Sequence, residues 1–173
     1  MSKISKDDFL KRIEKTNELF NNSTPEQKRV MIAQDVIDRI NVQLLTASKG
    51  RIIYLPQYAN VNKENVNSLE CDVCAKGGLF ASYIGRVNNF DESCYISNNL
   101  NNPAHEKLLE IFTLEQLAII EFAFEGMLYI GCVDVDADLE EKLEEFYFQY
   151  EDANERLIAI CENIIKNNGD FVL

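Results

Sequence analysis

Four groups of side chains in this sequence could do chemistry. Cys71-Asp72-Val73-Cys74 sets two thiols three positions apart, a spacing that serves zinc ligation or thiol–disulfide exchange. Zinc would need two further ligands, and Cys94 with His105 could supply them. The gaps of 19 and 10 intervening residues match no common zinc module. A redox pair would need the βαβ context of a thioredoxin-like fold, which the neighbouring residues do not offer. The expectation is two small cysteines packed at the start of a glycine-rich helix, with no metal bound and no cofactor.

The second group, Asp134-Val-Asp136-Ala-Asp138 with Glu145 at the twelfth position, matches the first, third, fifth and twelfth ligands of a calcium-binding EF-hand loop. Its sixth position is Leu139, where that loop needs Gly for a sharp turn. An acidic helix start accounts for the same residues, because carboxylates favour the positive end of the helix dipole. The third group is His105 alone. As the only His in the chain, it would have to serve any Ser–His or Cys–His mechanism. It stands in the polar stretch Pro103-Ala104-His105-Glu106, which reads as a solvated helix start. With no phosphate-binding loop and no dinucleotide fingerprint, no catalytic residue is assigned and no enzyme is expected.

The fourth group is the acidic run. Between Asp134 and Glu155 lie ten Asp/Glu and one Lys/Arg. Helical spacing puts Glu140, Glu141, Glu144 and Glu145 side by side, opposite Leu139, Leu143 and Phe146. Like charges at i, i+4 repel by a few tenths of a kcal/mol per pair, a cost that a basic partner would relieve. A merely solvated face is the alternative. Asp134, Asp136, Asp138, Glu140, Glu141, Glu144 and Glu145 are the candidate partner-binding residues, with Phe148 or Tyr150 as aromatic anchors.

These groups must be positioned by helices. Asp7 to Asn21 places Phe9, Ile13, Thr16 and Phe20 on one face. Thr24-Pro25-Glu26-Gln27 is a capping box with Pro at the first helical position. It opens a helix with a stripe of Ala33, Val36, Ile37, Ile40 and Leu44 that Gly50 would stop. Arg51 to Leu55, ahead of Pro56, reads as an edge strand. Residues 57–70 and 88–102 read as loops. Between them, Cys71 to Val87 is rich in small residues. Ala75, Gly78, Ala81, Ser82 and Gly85 would line a close helix–helix contact, unless Gly77-Gly78 breaks the segment in two. A short helix from Pro103 to Phe112 precedes Thr113-Leu114-Glu115-Gln116, a second capping box. It opens Leu114 to Phe124, apolar nearly all round and the expected centre of the core. Met127 to Val133 finishes that helix or forms a strand. Residues 138–151 and 153–167 form two more helices, with Leu139, Leu143, Phe146, Tyr147 and Tyr150 facing inward from the first. The second faces inward with Leu157, Ile160, Cys161 and Ile164.

The expected fold is therefore mainly α with a minor β element, a compact single-domain helical bundle with one or two short strands. Residues 1–23 would form an N-terminal helix, 24–133 the core, and 134–173 an acidic helix pair. The 173 residues suit one domain, and 46% hydrophobic content suits a globular one. No apolar run approaches the roughly 18 residues of a membrane span, and the polar N-terminus is unlike a secretory signal. A cytoplasmic setting follows, in which the five Cys would stay reduced. The net charge of −12 disfavours direct nucleic-acid binding and suits a basic protein partner. Residues 1–52 carry ten Lys/Arg against seven Asp/Glu, and residues 53–173 carry seven against twenty-two. The acidity belongs to the C-terminal two-thirds.

Three stretches together carry a resemblance: residues 28–36 (KRVMIAQDV), 71–78 (CDVCAKGG) and 115–126 (EQLAIIEFAFEG). Across residues 24–126 the chain resembles a loosely defined group of small proteins from phages, prophages and their bacterial hosts, with a Cys-x-Val-Cys-Ala-x-Gly motif. Gly78 stands where that group leads one to expect Ala. The resemblance implies a mobile-element setting, in which small acidic proteins often inhibit host defence nucleases, CRISPR effectors among them. The implied partner is an RNA- or DNA-guided nuclease with a basic channel.

Overall fold

The structure is a computed structural model that describes residues 4–50, 53–54, 65–87, 103–126 and 135–173. In chain order the described elements are α1 (Lys6–Asn22), α2 (Pro25–Asn41), β1 (Leu45–Ala47), β2 (Ile53–Tyr54), β3 (Cys71–Val73), α3 (Ala75–Val87), α4 (Pro103–Leu108), α5 (Leu114–Glu125), α6 (Ala137–Gln149) and α7 (Ala153–Lys166). The domain is mainly α, as expected. Both capping boxes form. Thr24 Oγ1 accepts from Gln27 N while Gln27 Oε1 accepts from Thr24 N, and Thr113 and Gln116 repeat the exchange. Each box satisfies donors that a helix start otherwise leaves open.

Helix α2 stops at Asn41, nine residues short of Gly50. The chain turns through Gln43 at φ 61° and enters β1 instead. Leu44, expected on the helix stripe, is buried against Phe9 and Ile13 of α1. The reason for the early stop is tertiary. β1 pairs in parallel with β3, Leu45 opposite Cys71 and Ala47 opposite Val73. Burial of Leu45, Ala47 and Val73 there outweighs the helix propensity of the segment. β2 pairs antiparallel on the other side, so the order is β1-β3-β2 with β2 at an edge as expected. Three strands are thus described where one or two were expected.

The Gly77-Gly78 alternative is settled by α3, which runs through both glycines unbroken. It is the most enclosed helix described, buried from Gly77 to Arg86. The centre of the core is therefore α3 rather than α5, although α5 contributes Leu117, Ile120, Phe122, Ala123 and Phe124. Helix α7 lies along α2 and also touches α5 and β1. Ile160, Cys161 and Ile164 enter the same core as Val36 and Leu79. The core thus draws on α7 as well as on residues 24–133. Met127 to Val133, most of the loop at 57–70 and all of that at 88–102 lie outside the described residues.

Candidate functional site

The acidic helix α6 is built from its cap upward. Asp136 is the N-cap, its carboxylate accepting from Leu139 N at 2.9 Å. The helix begins at Ala137, inside the twelve residues a calcium loop would occupy, so the EF-hand spacing is that of a capped acidic helix start. Asp134 lies outside the described residues. Leu143 is fully buried, and Leu139, Phe146, Tyr147 and Tyr150 are half-buried, which fixes the inner face as the spacing predicts. Asp138, Glu140, Glu141, Glu144 and Glu145 are all exposed on the outer face.

Among the described residues, little neutralises that face. Lys142 pairs with Asp138 at 2.6 Å. Arg156, at the start of α7, turns inward. Its guanidinium donates to the carbonyls of Phe124 at 3.2 Å, Tyr147 at 3.3 Å and Tyr150. These carbonyls close the ends of α5 and α6, where a cation is favoured. Glu151 and Asp152, the latter capping α7 through Glu155 N, extend the exposed acid past the end of α6.

The aromatic candidates separate. Tyr150 packs on Phe146, ring centroids 5.3 Å apart. Phe148 is 75% exposed and touches Tyr147 edge-on at 5.1 Å. Phe148 lies four and three positions beyond Glu144 and Glu145, so it continues their stripe. Tyr147 itself is held between two cations, Lys49 4.4 Å and Arg156 4.1 Å from its ring centroid. Lys49 also donates to its hydroxyl, and that bond, with the charges beside it, holds the hydroxyl below its usual pKa. These contacts seat the end of α6 on the β1 side of the molecule.

Cys71 sits in β3, and Cys74 at the junction with α3. Burial pushes the Cys71 thiol up to about 11. Burial likewise pushes Cys74 up to about 12, against the pull of a hydrogen bond with the Gly77 amide. A thiol so placed is protonated at neutral pH and a poor nucleophile. Cys94 lies outside the described residues, as does the side chain of His105. Among the described residues, no cluster of three or more His, Cys, Asp or Glu side chains is placed to hold a metal ion.

Several charged residues missed by the sequence reading are buried. Arg86 of α3 grips Asp35 of α2 through Nε at 2.6 Å and Nη2 at 2.8 Å, and its Nη1 reaches Thr16 of α1. Arg12 of α1 joins Asp35 at 2.8 Å and also pairs with Asp38. Arg29 of α2 holds the Ile111 carbonyl and the segment after α7. Lys76 pairs with Glu121 at 2.5 Å. The available signal was periodicity: Asp35 and Arg39 fall on the face that Ile32 and Val36 bury. No family model matches this chain, and neither a curated protein nor a solved structure matches it. Among the described residues, no helix is long and apolar enough to cross a membrane.

Proposed function

We propose that this chain is a non-catalytic protein-interaction module that docks the outer face of α6 on a basic surface of another protein. The observation that carries the reading is the stripe Glu141, Glu144, Glu145 and Phe148, exposed on one helix and unneutralised among the described residues, while Arg156 at the start of α7 points into the protein. Carboxylates steer a basic partner and set its orientation, and an exposed aromatic at their end supplies apolar contact area. The partner class is a nucleic-acid-targeting effector such as a CRISPR nuclease, whose guide channel is basic. Occupying that channel would inhibit it, in keeping with the resemblance to proteins of mobile elements. The raised thiol pKa values at Cys71 and Cys74 weigh against a thiol-dependent activity.

The test compares parent protein with a variant carrying Glu140→Gln, Glu141→Gln, Glu144→Gln and Glu145→Gln. Both are used to capture partners from a host lysate, and association rates are then measured on the captured protein. Association should slow in the variant, and should slow in the parent as salt rises from about 50 to 500 mM, which shortens the Debye length to a few ångströms. An unchanged rate in the variant removes α6 as the docking face.

A further inference from the structure

The last turn of α6 depends on what the Tyr147 ring meets. Leu143 is fully buried in that helix, and the inward side chains beyond it are half-buried. The ring lies flush on Gly126, where a Cβ would stand 2.8 Å from it. The two cations beside the ring are held very differently. Arg156 is 4% exposed and donates to three backbone carbonyls. Lys49 is exposed, in the turn that follows β1. Ser48 N still donates to the Val73 carbonyl of β3 at 2.7 Å, but the next two residues reach across to α6 and α5.

Glu125 sets that turn. It ends α5 directly before Gly126, and its two oxygens accept from Gly50 N at 3.0 and 3.1 Å. Gly50 presents the amide from φ 71°. The carboxylate also attracts Lys49 and Arg156, which offsets the repulsion between two cations that share one ring. Every packed element brings a charged or titratable group towards it. Glu121 lies one turn earlier on α5 and pairs with Lys76 of α3; Cys74 precedes α3, Lys49 is in the turn, Tyr147 is on α6 and Arg156 on α7.

Burial disfavours the ionised Glu125 carboxylate, the Gly50 amide opposes that, Glu121 adds to it, and Lys49 and Arg156 oppose it. Burial wins, so the group titrates above its ordinary value. As pH falls, the folded protein takes up this proton before the unfolded chain does. The stability tied to the group is complete below the unfolded-chain value and is lost as pH rises through the raised one. Protonation therefore favours the fold while it weakens the local contact.

We propose that Glu125 is a proton-operated latch on α6. Ionised, it holds the Lys49–Gly50 turn so that Lys49 clasps Tyr147. Protonated, it accepts more weakly from the Gly50 amide and no longer attracts Lys49. Arg156 keeps its carbonyls, so Lys49 is the cation that leaves, and the last turn of α6 loosens. The latch belongs to the fold and stands whether or not the outer face of α6 meets a partner.

The test follows the Glu125 carboxyl, the Tyr147 ring and the α6 amides by NMR from about pH 8 to about pH 4, across the carboxylate range. The Tyr147 ring signals should move with the Glu125 carboxyl at one shared midpoint. Amide exchange in the last turn of α6, corrected for its intrinsic pH dependence, should rise about two- to fivefold over the same step, the scale of an exposed ion pair. Glu125→Gln should show the faster exchange already at neutral pH and no step. Lys49→Met should also exchange faster at neutral pH, while its Glu125 carboxyl still titrates. Tyr147 signals and α6 exchange that stay unchanged while Glu125 titrates in the parent overturn the proposal, even if Glu125→Gln does not fold. So does a Glu125→Gln protein that exchanges like the parent at neutral pH, or a Lys49→Met protein whose α6 exchange still rises with the Glu125 step.

Discussion

Arg86 and Asp35 meet in a two-pronged ion pair, with bonds of 2.6 and 2.8 Å, and almost no solvent reaches either side chain. They stand 51 positions apart in sequence and tie α3 to α2, while Arg12 and Thr16 bring α1 to the same point. One carboxylate therefore organises three helices.

Removing it should be costly. Asp35→Ala leaves the buried Arg86 guanidinium without its counter-ion and takes from Arg12 one of its two carboxylate partners, so the expected loss is about 3–5 kcal/mol. Asp35→Asn, which keeps an acceptor, should lose less. Lys142→Gln breaks an exposed pair and should move stability by no more than about 0.5 kcal/mol. Urea unfolding of the three variants gives the ranking. An Asp35→Ala loss as small as that of Lys142→Gln would make the cluster a bystander.

What the sequence revealed depended on how local each cause was. Thr24, Thr113 and the inner face of α6 were legible because a cap and a helical stripe are written within a few residues. The end of α2 was not, because Leu45 to Ala47 become a strand only when Cys71 to Val73 arrive beside them. Gly77-Gly78 leaves a break open as an alternative because helix propensity alone favours one, and the packing that encloses α3 decides for the continuous helix. In the candidate site, exposure of Glu140, Glu141, Glu144 and Glu145 followed from the stripe. The inward turn of Arg156, which leaves that face uncompensated, depends on carbonyls of α5 and α6 that no spacing rule names.

Two glycines of α3 should respond in opposite directions. A Cβ on Gly78 would meet Leu157, Val73 and Val36 at 3.5–3.6 Å, ordinary contact distances. Gly78→Ala should therefore be tolerated or gain up to about 1 kcal/mol from helix propensity. A Cβ on Gly85 would stand 2.1 Å from Asn67 Oδ1 and 2.9 Å from Arg39 Nη2. Asn67 is held there by Arg39 and by the Gly85 carbonyl, so Gly85→Ala should cost about 1–3 kcal/mol by overpacking. Equal melting temperatures for the two variants would contradict the packing described.

The thiols should be slow and their burial should show at alkaline pH. Burial raises Cys74 from the ordinary 9.0 to about 12 and Cys71 to about 11, and pushes Cys161 up as well. The unfolded chain ionises first as pH rises. The stability gained by keeping these thiols neutral is therefore complete below pH 9 and is lost as pH climbs through about 11 and 12. Cys71→Ala with Cys74→Ala should flatten that alkaline loss. Site-resolved alkylation at neutral pH should modify Cys71, Cys74 and Cys161 far more slowly in folded protein than in urea. Rapid labelling of Cys74 in folded protein would refute its burial.

The outer face of α6 should be dispensable for folding, which separates its role from that of the core. Glu140 with Glu144 and Glu141 with Glu145 are like-charged pairs at i, i+4, each repelling by a few tenths of a kcal/mol. Glu140 and Glu141 also stand near the positive end of the helix dipole, which offsets part of that repulsion. Replacing all four by Gln should thus leave the unfolding free energy unchanged or raise it by less than about 1 kcal/mol. Phe148→Ala removes a ring that is 75% exposed and should change stability by no more than about 0.5 kcal/mol. Salt supplies the control. Screening should stabilise the parent by about the amount the Gln variant gains, and should do little for the variant itself. A loss of more than about 2 kcal/mol in either variant would mean that these side chains hold the fold together. The face would then be structural, and a partner surface would have to be sought elsewhere on the molecule.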